Sequence, residues 1–260
     1  TSSAASSASS NSGASSTMHA LQSRLHRRFA RGVSLSAQYT WGKSLDNASS
    51  IGGAGNAVAQ DDSNLRAERG LSSFDQRHRL ELQYTYEFPF GERRALAQRG
   101  WLARLLSNWQ VSGGASFLSG QPHTPLVGGN RTNNSGTGAA AGGGSSERAD
   151  ATGLSVRLAN PTVNHFFNTE AFTVPPPGRF GSAGRNTIAG PASQALNSSL
   201  SRSFRFTEQG PRAEIRLEAN NLLNTPAFAG LGTVLNALNF GRLTSARQMR
   251  TLKWHARVTF

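Results

Sequence analysis

The sequence has no cysteine in 260 residues. That excludes a disulfide framework and a thiolate metal site. It also has no long apolar run: no stretch approaches the ~18 consecutive apolar residues that a membrane-spanning helix needs. Hydrophobic residues make up 37% of the chain and mean hydropathy is −0.42. Strands are therefore the one remaining way across a bilayer, because only every second residue of such a strand faces lipid. Acidic residues are scarce, 14 against 27 basic, for a net charge of +13. That balance admits a solvated basic surface, an anionic partner such as nucleic acid or a membrane, or a basic channel lining. The basic residues are scattered and form no dense stripe interleaved with stacking aromatics, so nucleic acid is not expected as a partner. No secretory leader is visible either. The opening "TSSAASSASSNSGASS" has no basic start and no apolar core, and its composition reads as a flexible loop. Either the protein is cytoplasmic, or its natural beginning lies upstream.

What the chain does have is alternation. In "GVSLSAQYTWG", Val33, Leu35, Ala37, Tyr39 and Trp41 share one face and Ser34, Ser36, Gln38 and Thr40 the other. "QRHRLELQYTYEFPF", "RAEIRLEANN" and the final "TLKWHARVTF" repeat the pattern. Strict period-two alternation marks strands with one apolar face. Three weaker segments add Leu21, Leu25 and Phe29; Trp109, Val111, Ala115 and Phe117; and Leu196, Leu200, Phe204 and Phe206. Together they predict an all-β fold, an antiparallel meander of about seven long strands near 18–29, 32–42, 76–88, 109–119, 196–206, 212–222 and 250–260. Residues 1–16 read as a Ser-rich loop remnant and 17–260 as one barrel segment. The stretch "ERRALAQRGWLARLLSN" is the one candidate for a short helix, placed in a connection.

The expected connections alternate between short and long. "ARG" and "TEQGP" are tight, Pro89 to Asn108 is intermediate, and Lys43 to Asp75, Gly120 to Ala195 and Leu222 to about Met249 are long. Long structureless loops are uncommon in compact soluble domains, and outer-membrane barrels have short periplasmic turns and long outer loops. On that orientation the last strand descends to the periplasm. Aromatics then gather at both interfaces, as a girdle would require: Phe29, Phe88, Trp109, Phe204 and Phe206 at the inner end, Tyr39, Trp41 and Phe117 at the outer. A soluble sandwich would explain the alternation but not the loop asymmetry.

Charges sit opposite the apolar stripe. Arg79, Glu81, Glu214, Arg216, Glu218, Lys253 and Arg257 are expected to face the lumen. One register follows from charge pairing: Glu214 opposite Arg257 places Glu218 opposite Lys253 and Leu217 opposite Trp254.

Chemical motifs are weak. "DQRHR" reads as a loop-to-strand junction with a local Asp–Arg pair. No GxSxG nucleophile elbow is present, and the six histidines lack metal-ligand spacing. "GTGAAAGGGSS" lacks the Gly-Lys-Ser/Thr of a phosphate loop and reads as an outer loop. "FNTEAFTVPPPGRFG", with three consecutive prolines, reads as an ordered strap within the longest outer loop. No cofactor, metal or catalytic residue is expected, and the protein is not expected to be an enzyme.

Several stretches, in order, resemble the carboxyl-terminal part of TonB-dependent outer-membrane receptors of the Oar-like kind. They include "YTWGKSLDNASS", "FDQRHRLELQYTYEFPFG", "NWQVSGGASFLSGQP", "FNTEAF", "GRFGSAGRNTIAGP", "SRSFRFTE", "RLEANNLLNTPAF" and "NFGRLTSARQMR". The resemblance implies a barrel of about 22 strands around a plug domain, in the cell outer membrane, working in energised uptake of an unknown solute. The partners it implies are outer-membrane lipid, the barrel assembly machinery, and the TonB complex through a plug domain that this chain does not contain. A structural, adhesive or export-related barrel without uptake is the alternative. The last strand resembles the carboxyl-terminal signal read by the assembly machinery, with Trp254, Ala256 and Val258 facing lipid and Phe260 as the terminal aromatic. Deleting Phe260 from the full-length protein is therefore expected to abolish the heat-modifiable outer-membrane band on electrophoresis, and an unchanged band would count against that role.

Overall fold

A computed structural model describes residues 13–30, 32–48, 59–61, 63–90, 101, 105–129, 147–205, 211–247 and 249–259. Seven long strands dominate: β1 (Ser16–Ala30), β2 (Val33–Asp46), β3 (His78–Glu87), β4 (Trp109–Leu118), β5 (Ser193–Arg205), β6 (Arg212–Asn220) and β7 (Thr251–Thr259). Each pairs antiparallel with the next, in chain order. The result is an all-β meander whose outermost strands, β1 and β7, each have one neighbour among the described residues. The expected register of the last pair is the observed one: Glu214 lies opposite Arg257, Leu217 opposite Trp254 and Glu218 opposite Lys253.

Local sequence explains where the strands turn. Gly32 adopts φ +80 between β1 and β2, and its carbonyl accepts from Glu87 N at 2.7 Å. A side chain would be strained in that left-handed conformation. Asn108, which tolerates the same region, has φ 63 just before β4. Of the candidate connecting helix, Trp101, Leu105 and Leu106 are helical, and the Leu105 carbonyl accepts from the Trp109 indole N–H at 3.1 Å.

The long loops are not structureless, which corrects the sequence expectation. At the long-loop end, Gly70–Leu71 pairs with the top of β2. Pro122–His123 pairs with Ile188–Ala189, Asp150–Ala151 with Phe172–Thr173, and Phe228–Leu231 with Leu243–Ala246. These ribbons enclose a core of Val127, Ala149, Phe167, Ala171, Phe172, Ala183 and Ile188, with Leu231, Leu235 and Phe240 packed against it. Phe167, Phe172 and Phe240 meet edge to face, with centroids 5.2–6.5 Å apart. Of the described apolar side chains that are buried, Ala219 alone belongs to the long strands. The chain thus holds its water-excluding core in the loops, here termed the cap, and not in the wall. The loops fold because they carry apolar residues at ribbon spacing, a signal too short to read as strands in isolation. The proline strap is ordered, as expected, and its Pro175 is fully buried. The Gly-rich run 136–146 lies outside the described residues.

Charged side chains cross-link the cap. Glu68, on a short 3-10 turn (Leu65–Glu68), meets Arg148 at 2.7 Å, with both side chains at most 5% exposed. The same carboxylate accepts from Gln60 N at 3.0 Å, and the Gln60 amide bridges Arg148 N (2.6 Å) to the Gly181 carbonyl (3.0 Å). Gly181 is required here: a Cβ would come within 1.9 Å of the Arg148 carbonyl. Arg185 ties the cap to the wall by pairing with Asp46 and donating to the Glu68 carbonyl at 2.9 Å. Asp75 is buried and accepts from Ser44 N at 2.6 Å, while Arg79 pairs with Glu81 at 2.6 Å. The expected local Asp–Arg pair in "DQRHR" is therefore replaced by a carboxylate cap on a wall N–H.

Removing one partner of a buried ion pair strands the other charge, at about 3–5 kcal/mol. Glu68→Leu should therefore loosen the cap and raise loop cleavage by protease added to intact cells. Adding Arg148→Met in the same molecule should restore much of the resistance.

Candidate functional site

The two faces of the wall follow from register, because residues directly opposite in an antiparallel pair share a face. Ser36 lies opposite Gln83, Gln83 opposite Gly114, and Gly114 opposite Asn197. Ser112 lies opposite Ser199, Ser199 opposite Glu218, and Glu218 opposite Lys253. Arg79 and Glu81 face the same way through Thr40 and Gln38, as do Glu214, Arg216 and Arg257 through Ser203, Ser201 and the β6–β7 ladder. The seven expected lumen-facing charges thus share one polar face.

The ion pairs on that face do not run straight across the strands. Arg216 takes Glu214 at 2.8 Å and Glu218 at 3.6 Å along its own strand, and His255 Nε2 lies 3.3 Å from Glu218 diagonally. Lys253 and Arg257, though opposite glutamates, form no ion pair among the described residues. Residues two apart on a strand point the same way, so one long guanidinium reaches both carboxylates first. Such half-exposed pairs contribute at most ~1 kcal/mol each. Their role is to dress a wetted surface.

The opposite face is mainly apolar on all seven strands, with Arg27, opposite Leu35, and Arg202, opposite Trp109, as cations toward its short-turn end. Leu25 lies opposite Ala37, Ala37 opposite Leu82, Leu82 opposite Ala115, and Ala115 opposite Leu196. Leu200 lies opposite Leu217, Leu217 opposite Trp254, and Ala213 opposite Val258. Ala256 shares this face through Ile215. Much of it is bare: Leu21, Leu25, Leu252, Trp254 and Val258 are each more than half exposed. A soluble monomer does not leave so large an apolar sheet open to water.

Aromatic rings edge this face at both levels. Near the long loops Tyr39 lies opposite Leu80, and Leu80 opposite Phe117, while Trp41 lies opposite His78. The Tyr39 hydroxyl sits 2.9 Å from His78 Nδ1. Near the short turns Phe88 N donates to the Trp109 carbonyl at 3.0 Å and Phe204 lies opposite Ala213, while Phe29 is exposed within the register shift between Arg27 and Ala30. Phe206 and Phe260 lie outside the described residues.

An apolar band about as tall as a strand, exposed and rimmed by aromatics, with charges behind it, is a lipid-facing wall. A family model for the outer membrane beta barrel domain matches residues 3–253. The chain belongs to that family. No curated protein and no solved structure matches it. Family membership places the barrel domain in the outer membrane, where short turns face the periplasm and long loops face outward.

Three features of the barrel domain escaped the sequence. The Glu68–Arg148 and Asp46–Arg185 pairs join residues 80 and 139 positions apart, and no local pattern marks such partners. Arg202 lies on the lipid face, opposite Trp109 and Ile215. It is accommodated by the inner aromatic level, with its guanidinium 4.4 Å from the Phe204 ring centroid and 5.6 Å from that of Trp109. A cation there keeps its head at the interface and its stem along apolar surface. Its place between Leu200 and Phe204 already implied that side of the sheet; the pair of rings that holds it was not visible in the sequence.

Adjacent residues on β3 provide a test of sidedness. Leu82→Arg puts a cation on the lipid face near mid-strand and should cost about 2–4 kcal/mol of folding stability in lipid. Gln83→Arg, on the polar face, should leave the unfolding midpoint in urea nearly unchanged.

Proposed function

We propose that this domain forms part of the wall and the outer loops of a TonB-dependent receptor of the Oar-like kind, serving energised uptake of a scarce solute. The observation that carries this reading is the character of the polar face. Its middle is built from short side chains, among them Ser34, Ser36, Ser112, Gly114 and Ser199, flanked by charge clusters at Arg79–Glu81 and Glu214–Glu218. A narrow barrel fills its interior with interlocking side chains, whereas a wide one leaves room for water or a plug. Short polar residues suit the wide kind.

On this reading the solute meets the cap and a plug before passing along the polar face. No bond is made or broken, and no cofactor takes part. β7, with Trp254, Ala256 and Val258 toward lipid, is the strand offered to the barrel assembly machinery, and Phe260 is its terminal aromatic.

The ordered cap favours a second reading, in which the barrel displays a rigid outer surface for adhesion or export without uptake. Cysteine cross-linking in cells producing the full-length protein separates the two. A receptor should cross-link to TonB from a segment ahead of the barrel, and the cross-link should strengthen when solute is present. Absence of any TonB adduct, with the protein correctly inserted, would favour the display role.

A further inference from the structure

A crevice of about 920 Å³ lies at the outer rim of the wall, between the tops of β3 and β4 and an overhanging segment of the cap, residues 155–167. Its wall-side lining includes His78 and Ser119. His78 shares a face with Leu80 and Phe117, the lipid-facing side, and the ladder continues past β4 as His78 N donates to Ser119 Oγ at 3.0 Å and Ser119 N to the His78 carbonyl at 2.9 Å. The crevice therefore stands on the lipid side of the rim, at the height of Tyr39, Trp41 and Phe117, and not over the polar face.

The chemistry of its lining is lopsided. Val156, Leu158, Ala159, Pro161 and Phe166 supply apolar surface, and hydroxyls come from Ser119, Ser155 and Thr187. Arg157 is the one full charge, and no carboxylate is present in the lining. Among the described residues Arg157 makes no ion pair. An exposed guanidinium beside apolar surface, at the height of the headgroups, matches an amphiphile with an anionic head. Guanidinium pairs well with phosphate because its fork meets two oxygens at once.

We propose that this crevice binds the phosphorylated headgroup of an outer-leaflet lipid, with Arg157 on the phosphate and Leu158 and Phe166 against the first carbons of the lipid. The site depends on the outward orientation of the long loops, and not on uptake. Bound lipid would brace the overhang against the wall on its outer side, where the described ion pairs do not reach.

The test uses the full-length protein, stripped of lipid in detergent and examined by native mass spectrometry. The probes are bisphosphorylated lipid A, the same lipid after phosphatase treatment, and inorganic phosphate. The phosphorylated lipid should bind at least tenfold more tightly than the dephosphorylated one. Arg157→Ala should erase that difference, Arg157→Lys should keep part of it, and Leu158→Asp should weaken binding by placing a carboxylate in the crevice. Equal affinity for the two lipids, an unchanged preference in Arg157→Ala, or displacement of the lipid by millimolar inorganic phosphate would each overturn the proposal. Leu238, 98% exposed in the cap, provides the control. Leu238→Cys should react with an impermeant maleimide on intact cells. If it does not, the orientation shared with the uptake reading is wrong; if it does and lipid discrimination is missing, the lipid site alone is lost.

Discussion

The backbone cannot hydrogen-bond to a hydrocarbon. In the middle of a bilayer each N–H and C=O must find a partner on a neighbouring strand, because leaving one unpaired costs several kcal/mol. Between β1 and β7 the long ladders meet this condition, broken by one register shift between Arg27 and Ala30, and other properties of the wall follow from them. Strand length is set by the depth to be crossed. Once the ladder is fixed, the pleat sends alternate residues to opposite sides, so one choice of register decides which surface meets lipid and which meets water. A slip of one residue would put Glu214, Arg216 and Glu218 into the membrane together.

Above the rim the same chain meets a different solvent and follows different rules. The loops cannot lean on lipid, so they bury Phe167, Phe172 and Ile188 against one another and close the remaining gaps with buried ion pairs. The wall has almost no interior among the described residues, and the cap holds nearly all of their buried apolar side chains. Arg185 joins the two regimes by reaching from the cap to Asp46 at the top of β2.

How much of this was legible in the sequence depended on the range of the signal. Strand identity, sidedness and the pairing of β6 with β7 are written in runs of nine or ten residues, and charge complementarity between Glu214, Glu218, Arg257 and Lys253 selects one register. The ends of strands are less legible. β2 runs on to Asp46, past Trp41, because Ser44 and Asp46 are held by Asp75 and Arg185 from elsewhere in the chain. The cap was illegible as structure. Its ribbons are two to four residues long, below the length at which alternation can be counted, and its partners are separated by scores of residues. Composition alone made it look like loose polar loop. The direction in which the pairs on the polar face form was also hidden, since spacing along one strand and across two strands offers the same charges competing routes.

The buried core of the cap has a consequence for the order of events during biogenesis. A segment with Phe167, Val127 and Ile188 already enclosed is too bulky and too polar outside to be threaded through a bilayer. Residues 119–129 and 147–192 must therefore be translocated as extended chain, with their apolar side chains uncovered, and gain their core only on the far side. Closing the cap is then a latch on insertion: once Arg148 and Glu68 are buried together, withdrawing β4 and β5 requires unfolding the cap first. The loops oppose reversal of the topology.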